Sequence, residues 1–89
     1  MTEEAPVDEQ IRSILAEHAR LAVDVDSIGD ETDLFGAGMT SHASVNVMLA
    51  IEDAFGIEFP ERMLKKSTFE SVAAIRAGIE EATAVAPGS

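Results

Sequence analysis

Residues 35–56 read FGAGMTSHASVNVMLAIEDAFG. Gly36 and Gly38 break regular structure at the entry, and Gly56 closes the stretch in the manner of a C′ glycine in the left-handed conformation. Between them the apolar residues recur at helical spacing. The spacing predicts a helix from about Ser41 to Phe55. Val45, Met48, Leu49, Glu52 and Phe55 fall along one face, and Val47 and Ile51 widen the apolar stripe. Thr40 or Ser41 could cap its start, because a hydroxyl oxygen there accepts from the helix's unpaired N–H groups. The functional question is whether Ser41 is a cap or a chemical site.

Upstream, Val7, Ile11, Ile14, Leu15 and His18 predict a first helix over about residues 6–20. Glu3, Glu4, Asp8 and Glu9 lie where the helix dipole favours anions. His18 on or near this stripe reads as a packed or half-exposed side chain. Residues 22–40 form a long loop with Asp24, Asp26, Asp30, Glu31 and Asp33. Ile28, Leu34 and Phe35 are expected to plug it into the core, since a loop of this length in a small domain is functional or packed by its own side chains. A calcium loop starting at Asp24 fails, because its fifth and twelfth positions are Ile28 and Phe35 instead of oxygen ligands.

Downstream, Ile57, Glu58 and Phe59 alternate before Pro60, and residues 61–66 (ERMLKK) fit one helical turn. Ser67 and Glu70 have the spacing of a capping box for a last helix from residue 67 to about 82. Residues 83–89 (TAVAPGS) are expected to fray, leaving one domain over residues 1–82. The expected core contains Leu15, Leu34, Val45, Leu49, Phe55, Ile57, Phe69, Val72 and Ile75. The fold class is all-α: a four-helix bundle of three main helices and one short one, with a long loop between helices one and two.

Composition narrows the function. The 89 residues carry 17 acidic and 6 basic side chains, a formal net charge of -11. Phosphate backbones and anionic membranes repel such a surface, which argues against nucleic acid and membrane partners. Cysteine is absent, so the chain has no disulfide, thiolate metal site or cysteine nucleophile. MTEEAPVDEQ at the start does not resemble a signal peptide, and no apolar run nears the roughly 18 residues of a membrane span. A cytoplasmic monomer is expected.

Ser41 has three readings. As a cap it needs no further explanation. As a hydrolytic nucleophile it lacks a base: neighbours on a helix point about 100° apart, so His42 is badly aimed, and no strand–turn–helix elbow precedes it. His18 and His42 are too far apart in sequence to form a metal motif. As a site of covalent modification, Ser41 offers an exposed hydroxyl at a helix start, where the dipole favours a phosphodiester. Gly36 and Gly38 would allow a modifying enzyme to approach closely.

DLFGAGMTSHASVNVMLAIEDAFGIEFPE, residues 33–61, resembles the carrier-protein family of acyl, peptidyl and aminoacyl carriers. Asp33, Leu34, Gly38, Ser41, Val45, Phe55, Gly56, Ile57 and Pro60 match the family pattern in identity and order, and the likeness extends over about residues 7–80. The resemblance implies 4′-phosphopantetheine on Ser41, attached by a phosphopantetheinyl transferase, and cargo held as a thioester for presentation to partner enzymes. The thiol would come from the cofactor, and the chain would not itself be an enzyme. Thr40 stands where the family has aspartate, and His42 where it has leucine. Asn46 and Ala50 replace surface carboxylates on helix two. These departures point away from fatty-acid synthase partners. The chain looks more like the free-standing aminoacyl carriers loaded by amino acid ligases that resemble seryl-tRNA synthetase. A stand-alone acyl carrier served by an acyl ligase is the alternative, and an acidic helical interaction module without a prosthetic group is the alternative of another class. The surface expected to meet a partner comprises Met39, Thr40, His42, Ala43 and Asn46, with Arg62, Lys65 and Lys66 after the Pro60 turn.

Overall fold

The computed structural model describes residues 7–84. Three α-helices carry the fold: α1 (Val7–His18), α2 (Ser41–Phe55) and α3 (Val72–Ala84). The expected short helical turn within residues 61–66 takes 3₁₀ form over Glu61–Met63; a second 3₁₀ segment, Lys66–Phe69, follows it, and a further one, Val25–Ser27, lies in the long loop. The all-α class and the layout of the three main helices agree with the sequence reading. Glu3 and Glu4 lie outside the described residues, as does most of the expected tail. The part of that tail within them, Thr83 and Ala84, continues α3, and the Thr83 hydroxyl donates to the carbonyl of Ile79 at 2.8 Å.

Each helix buries one stripe. Ile11 and Leu15 of α1 meet Val47 and Ile51 of α2 and Val72, Ile75 and Ile79 of α3 in one core. Phe59 and Phe69 close its lower end edge-to-face, with ring centroids 5.4 Å apart. Such a pair adds about 0.5–1.5 kcal/mol beyond its area burial.

The long loop is fastened at both ends of its path. The Arg12 guanidinium on α1 donates to the carbonyls of Val25 and Ile28, each at 2.9 Å, and pairs with Asp30 at 2.9 Å. The acidic loop thus closes around a side chain. Farther along, Leu34 N–H donates to Glu70 O at 2.7 Å, and Ala73 N–H to Asp30 O at 2.9 Å. Ile28 and Leu34 are buried, and Phe35 packs against the core from a half-buried position. Gly38 has φ +121°, and a Cβ there would sit 2.8 Å from the Ala22 nitrogen. Ala22 N–H in turn donates to Ala37 O at 2.8 Å. Only glycine allows the two loop limbs to approach this closely.

Three expectations need correction. Val45 and Leu49 are not core: they are 49% and 52% exposed, and α2 buries Ala43, Val47 and Ile51 instead. Apolar residues ring most of α2, so periodicity alone does not say which side the other helices will cover. Phe55 and Ile57 are partly buried and pack against the core from its edge. Finally, Ser67 does not cap the last helix. The chain makes a 3₁₀ turn over Lys66–Phe69 that buries Thr68 and Phe69, and the cap falls to Ser71, whose hydroxyl accepts from Ala74 N–H at 3.0 Å.

α1 is also joined to α3 by Arg76 and Asp8. The Asp8 hydrogen bond and charge hold the Arg76 guanidinium above its ordinary pKa. A base raised from so high a value is charged at every physiological pH, so this pair brings no pH dependence there.

Candidate functional site around Ser41

Met39 and Thr40 set the start of α2. Met39 N–H donates to Leu34 O at 3.0 Å, and its side chain is only 3% exposed. Thr40 has extended backbone, and its Oγ1 accepts from Ala43 N–H at 3.0 Å. Thr40 is therefore the cap. Ser41 follows as the first helical residue, exposed. Its hydroxyl makes no hydrogen bond among the described residues. Its carbonyl accepts from the Ser44 hydroxyl at 2.6 Å.

The N–H groups of Ser41 and His42 point out of the helix end, since the first turn has no intrahelical acceptors. With the positive end of the dipole, they favour an anion at Ser41. The chemistry offered is an accessible hydroxyl beside unpaired donors, which suits a phosphodiester. Neither histidine acts on that hydroxyl. His18 sits at the end of α1 beside Glu17, 3.4 Å away, and His42 is exposed on α2.

Ser41 stands at one end of a groove of about 240 Å³. Ser44, Val45 and Met48 of α2 form one wall; Phe35, Leu64, Lys65, Lys66 and Phe69 form the other. The Lys66 ammonium lies over the Phe35 ring, 4.9 Å from its centroid.

The residues expected to meet a partner differ in exposure. Thr40, His42 and Asn46 are exposed, and Lys65 and Lys66 line the Ser41 groove. Met39 and Ala43 are not available: at 3% and 2% exposure they anchor the start of α2 in the core. Arg62 pairs with Glu81 on α3 at 2.6 Å and lines a separate hollow with Thr68 and Gly78. Phe35, Ser44, Val45, Met48, Leu64 and Phe69 were missed as lining residues. The surplus of apolar residues around α2 was the available signal for Val45 and Met48. Nothing local marked Leu64.

Residues 9–76 match the family described as the phosphopantetheine attachment site. The chain belongs to that family. Among phosphopantetheine attachment-site relatives, the aminoacyl carrier protein of Agrobacterium fabrum (strain C58 / ATCC 33970) is 52% identical over 65 residues, covering 73% of this chain and 78% of the relative. The fold superposes with a TM-score of 0.83 on a chain from the crystal structure of an engineered Bradyrhizobium japonicum glycine:[carrier protein] ligase complexed with carrier protein from Agrobacterium tumefaciens and ATP. That match has 45% identity and covers 85% of this chain and 99% of the other. A solution structure of a protein from Agrobacterium tumefaciens matches with a TM-score of 0.67 and 46% identity, over 83% of this chain and 89% of its own. Membership of the phosphopantetheine attachment-site family implies a carrier. Among the described residues, no helix is long and apolar enough to cross a membrane.

Proposed function

We propose that Ser41 carries 4′-phosphopantetheine and that the protein is an aminoacyl carrier, acting in the cytoplasm as a monomer and not itself an enzyme. The observation that carries this reading is the division of labour at the start of α2: Thr40 caps the helix, which leaves the Ser41 hydroxyl exposed and unbonded. When attached, the cofactor supplies the thiol that this cysteine-free chain lacks, and with it the thioester that holds the cargo. The chain's own part is to present that arm. Thr40 and Leu34 hold the helix end in place, the unpaired N–H groups of Ser41 and His42 would donate to the phosphodiester, and Lys65 and Lys66 line the groove beside Ser41. A phosphopantetheinyl transferase would install the arm. The aminoacyl carrier of Agrobacterium fabrum and the glycine:[carrier protein] ligase complex support glycine as the cargo and an amino acid ligase as the loading partner.

The apolar groove beside Ser41 favours one other reading, a stand-alone acyl carrier loaded by an acyl ligase. Offering the phosphopantetheine-loaded protein to a glycine:[carrier protein] ligase and, separately, to a fatty-acyl ligase separates the two. Charging with glycine is the expected result. Charging with fatty acid alone would reject the aminoacyl assignment.

A further inference from the structure

A phosphodiester on Ser41 adds an anion to a chain whose formal net charge is already -11. Without compensating charge nearby, the arm stands against the field of the whole molecule. The free N–H groups of Ser41 and His42 supply only the partial charge of a helix end. A full positive charge has to come from a side chain.

The six Lys and Arg residues divide clearly on this point. Arg12, Arg62 and Arg76 are bound to the carboxylates of Asp30, Glu81 and Asp8. Arg20 lines a separate hollow with Asp24 and Asp26. Lys65 and Lys66 form no ion pair among the described residues, and both line the groove that holds Ser41. The two are not equivalent. Lys65 also lines the hollow of Arg62 and Glu81. Lys66 is held on the groove side, its ammonium 4.9 Å from the centroid of the Phe35 ring, which is itself part of the groove wall. Phe35 is a fixed support: its N–H donates to Asp33 Oδ1 at 3.1 Å, and its side chain packs against the core. The first turn of α2 holds no acidic residue to compete for the lysine.

We infer that Lys66 is the counter-cation of the arm: its ammonium rests on the Phe35 ring until Ser41 is loaded, and then turns to the phosphodiester. The inference rests on the reading of Ser41 as the attachment site. An exposed ring face attracts a cation only weakly. A phosphodiester offers charge-assisted hydrogen bonds, which are shorter and roughly twice as strong as neutral ones. The exchange therefore favours the loaded form. Lys66 acts as a positioning residue: it neutralises the phosphate and holds the root of the arm on the groove side of α2, and it has no part in the thioester.

The test compares the full chain, apo and loaded with phosphopantetheine, for wild type, Lys65→Met and Lys66→Met. Methionine keeps an apolar stem and removes the charge. Intact mass first establishes that each variant is fully loaded. Melting temperatures are read at low salt and at about 1 M salt, where the Debye length falls to roughly 3 Å. At low salt, loading should leave the melting temperature of wild type and Lys65→Met unchanged or raised, and should lower that of Lys66→Met by about 2 °C. High salt should abolish the difference. Proton–carbon correlation spectra of wild type give a local readout: loading should move the Lys66 Cε and Phe35 ring signals together and leave the Lys65 Cε signal in place. The same response to loading in Lys66→Met as in wild type, or Lys66 Cε and Phe35 signals that do not move, would overturn the inference and leave the attachment site intact. An equal fall in Lys65→Met would overturn the assignment to Lys66. A wild type that takes up no phosphopantetheine, or takes it up elsewhere than Ser41, would overturn the reading of Ser41 and the role of the lysine with it.

Discussion

The two sides of α2 have similar chemistry and opposite fates. Ala43, Val47 and Ile51 turn inward and are closed off from water, whereas Val45 and Leu49, two residues out of step, lie half in solvent. Helix propensity does not separate them, since both sets continue the same turns. The separation comes from what the rest of the chain brings up to the helix: α1 and α3 share a core with one side, and Phe35 of the long loop and the Leu64–Phe69 segment line a groove along the other. Apolar content marks a surface that wants covering, and the fold covers only part of it. The uncovered part adjoins Ser41.

The comparison is broken most forcefully on the buried side. Ile51→Ala should cost about 2–5 kcal/mol through lost burial and the cavity left behind, read as a fall in the urea midpoint with unchanged slope. A midpoint near that of wild type would mean that the sides are assigned the wrong way round. Gly38→Ala asks whether the loop fixes the rotation of α2. The added Cβ meets the Ala22 nitrogen at 2.8 Å at a φ that side chains rarely adopt, so about 1–3 kcal/mol is expected, with amide exchange rising first at Ala22 and Met39. Thr40→Ala removes the cap shared by both sides and should cost about 1 kcal/mol. Phosphopantetheinylation should persist, because the reacting hydroxyl belongs to Ser41. Leu49→Ser, on the open side, should move stability by no more than about 0.5 kcal/mol. A loss as large as that of Ile51→Ala would show that Leu49 is packed in solution.

The sequence carried the ends of α2 plainly. Loop breakers, a capping hydroxyl and Gly56 bound it, and the observed helix runs from Ser41 to Phe55 as read. Its rotation was not legible, because Val45, Val47, Met48, Leu49 and Ile51 leave no clean polar side; only the placement of α1 and α3 decides. The start of α3 was misread for a related reason. Ser67 with Glu70 imitates a capping box, yet burying Phe69 and Thr68 demands a 3₁₀ turn there, and Ser71 inherits the cap. Ser41 stood out through its motif, and the groove beside it did not, since Phe35, Leu64 and Lys66 are brought to α2 by tertiary packing alone.

The central claim is that Ser41, and not the cap beside it, bears the cofactor. Purified apo protein is incubated with coenzyme A and a broad-specificity phosphopantetheinyl transferase, and the intact mass is measured for wild type, Thr40→Ala, Ser41→Ala and Ser44→Ala. The account predicts a gain of one phosphopantetheine in all but Ser41→Ala. A gain that persists in Ser41→Ala, or disappears in Ser44→Ala while that variant remains folded, would contradict it.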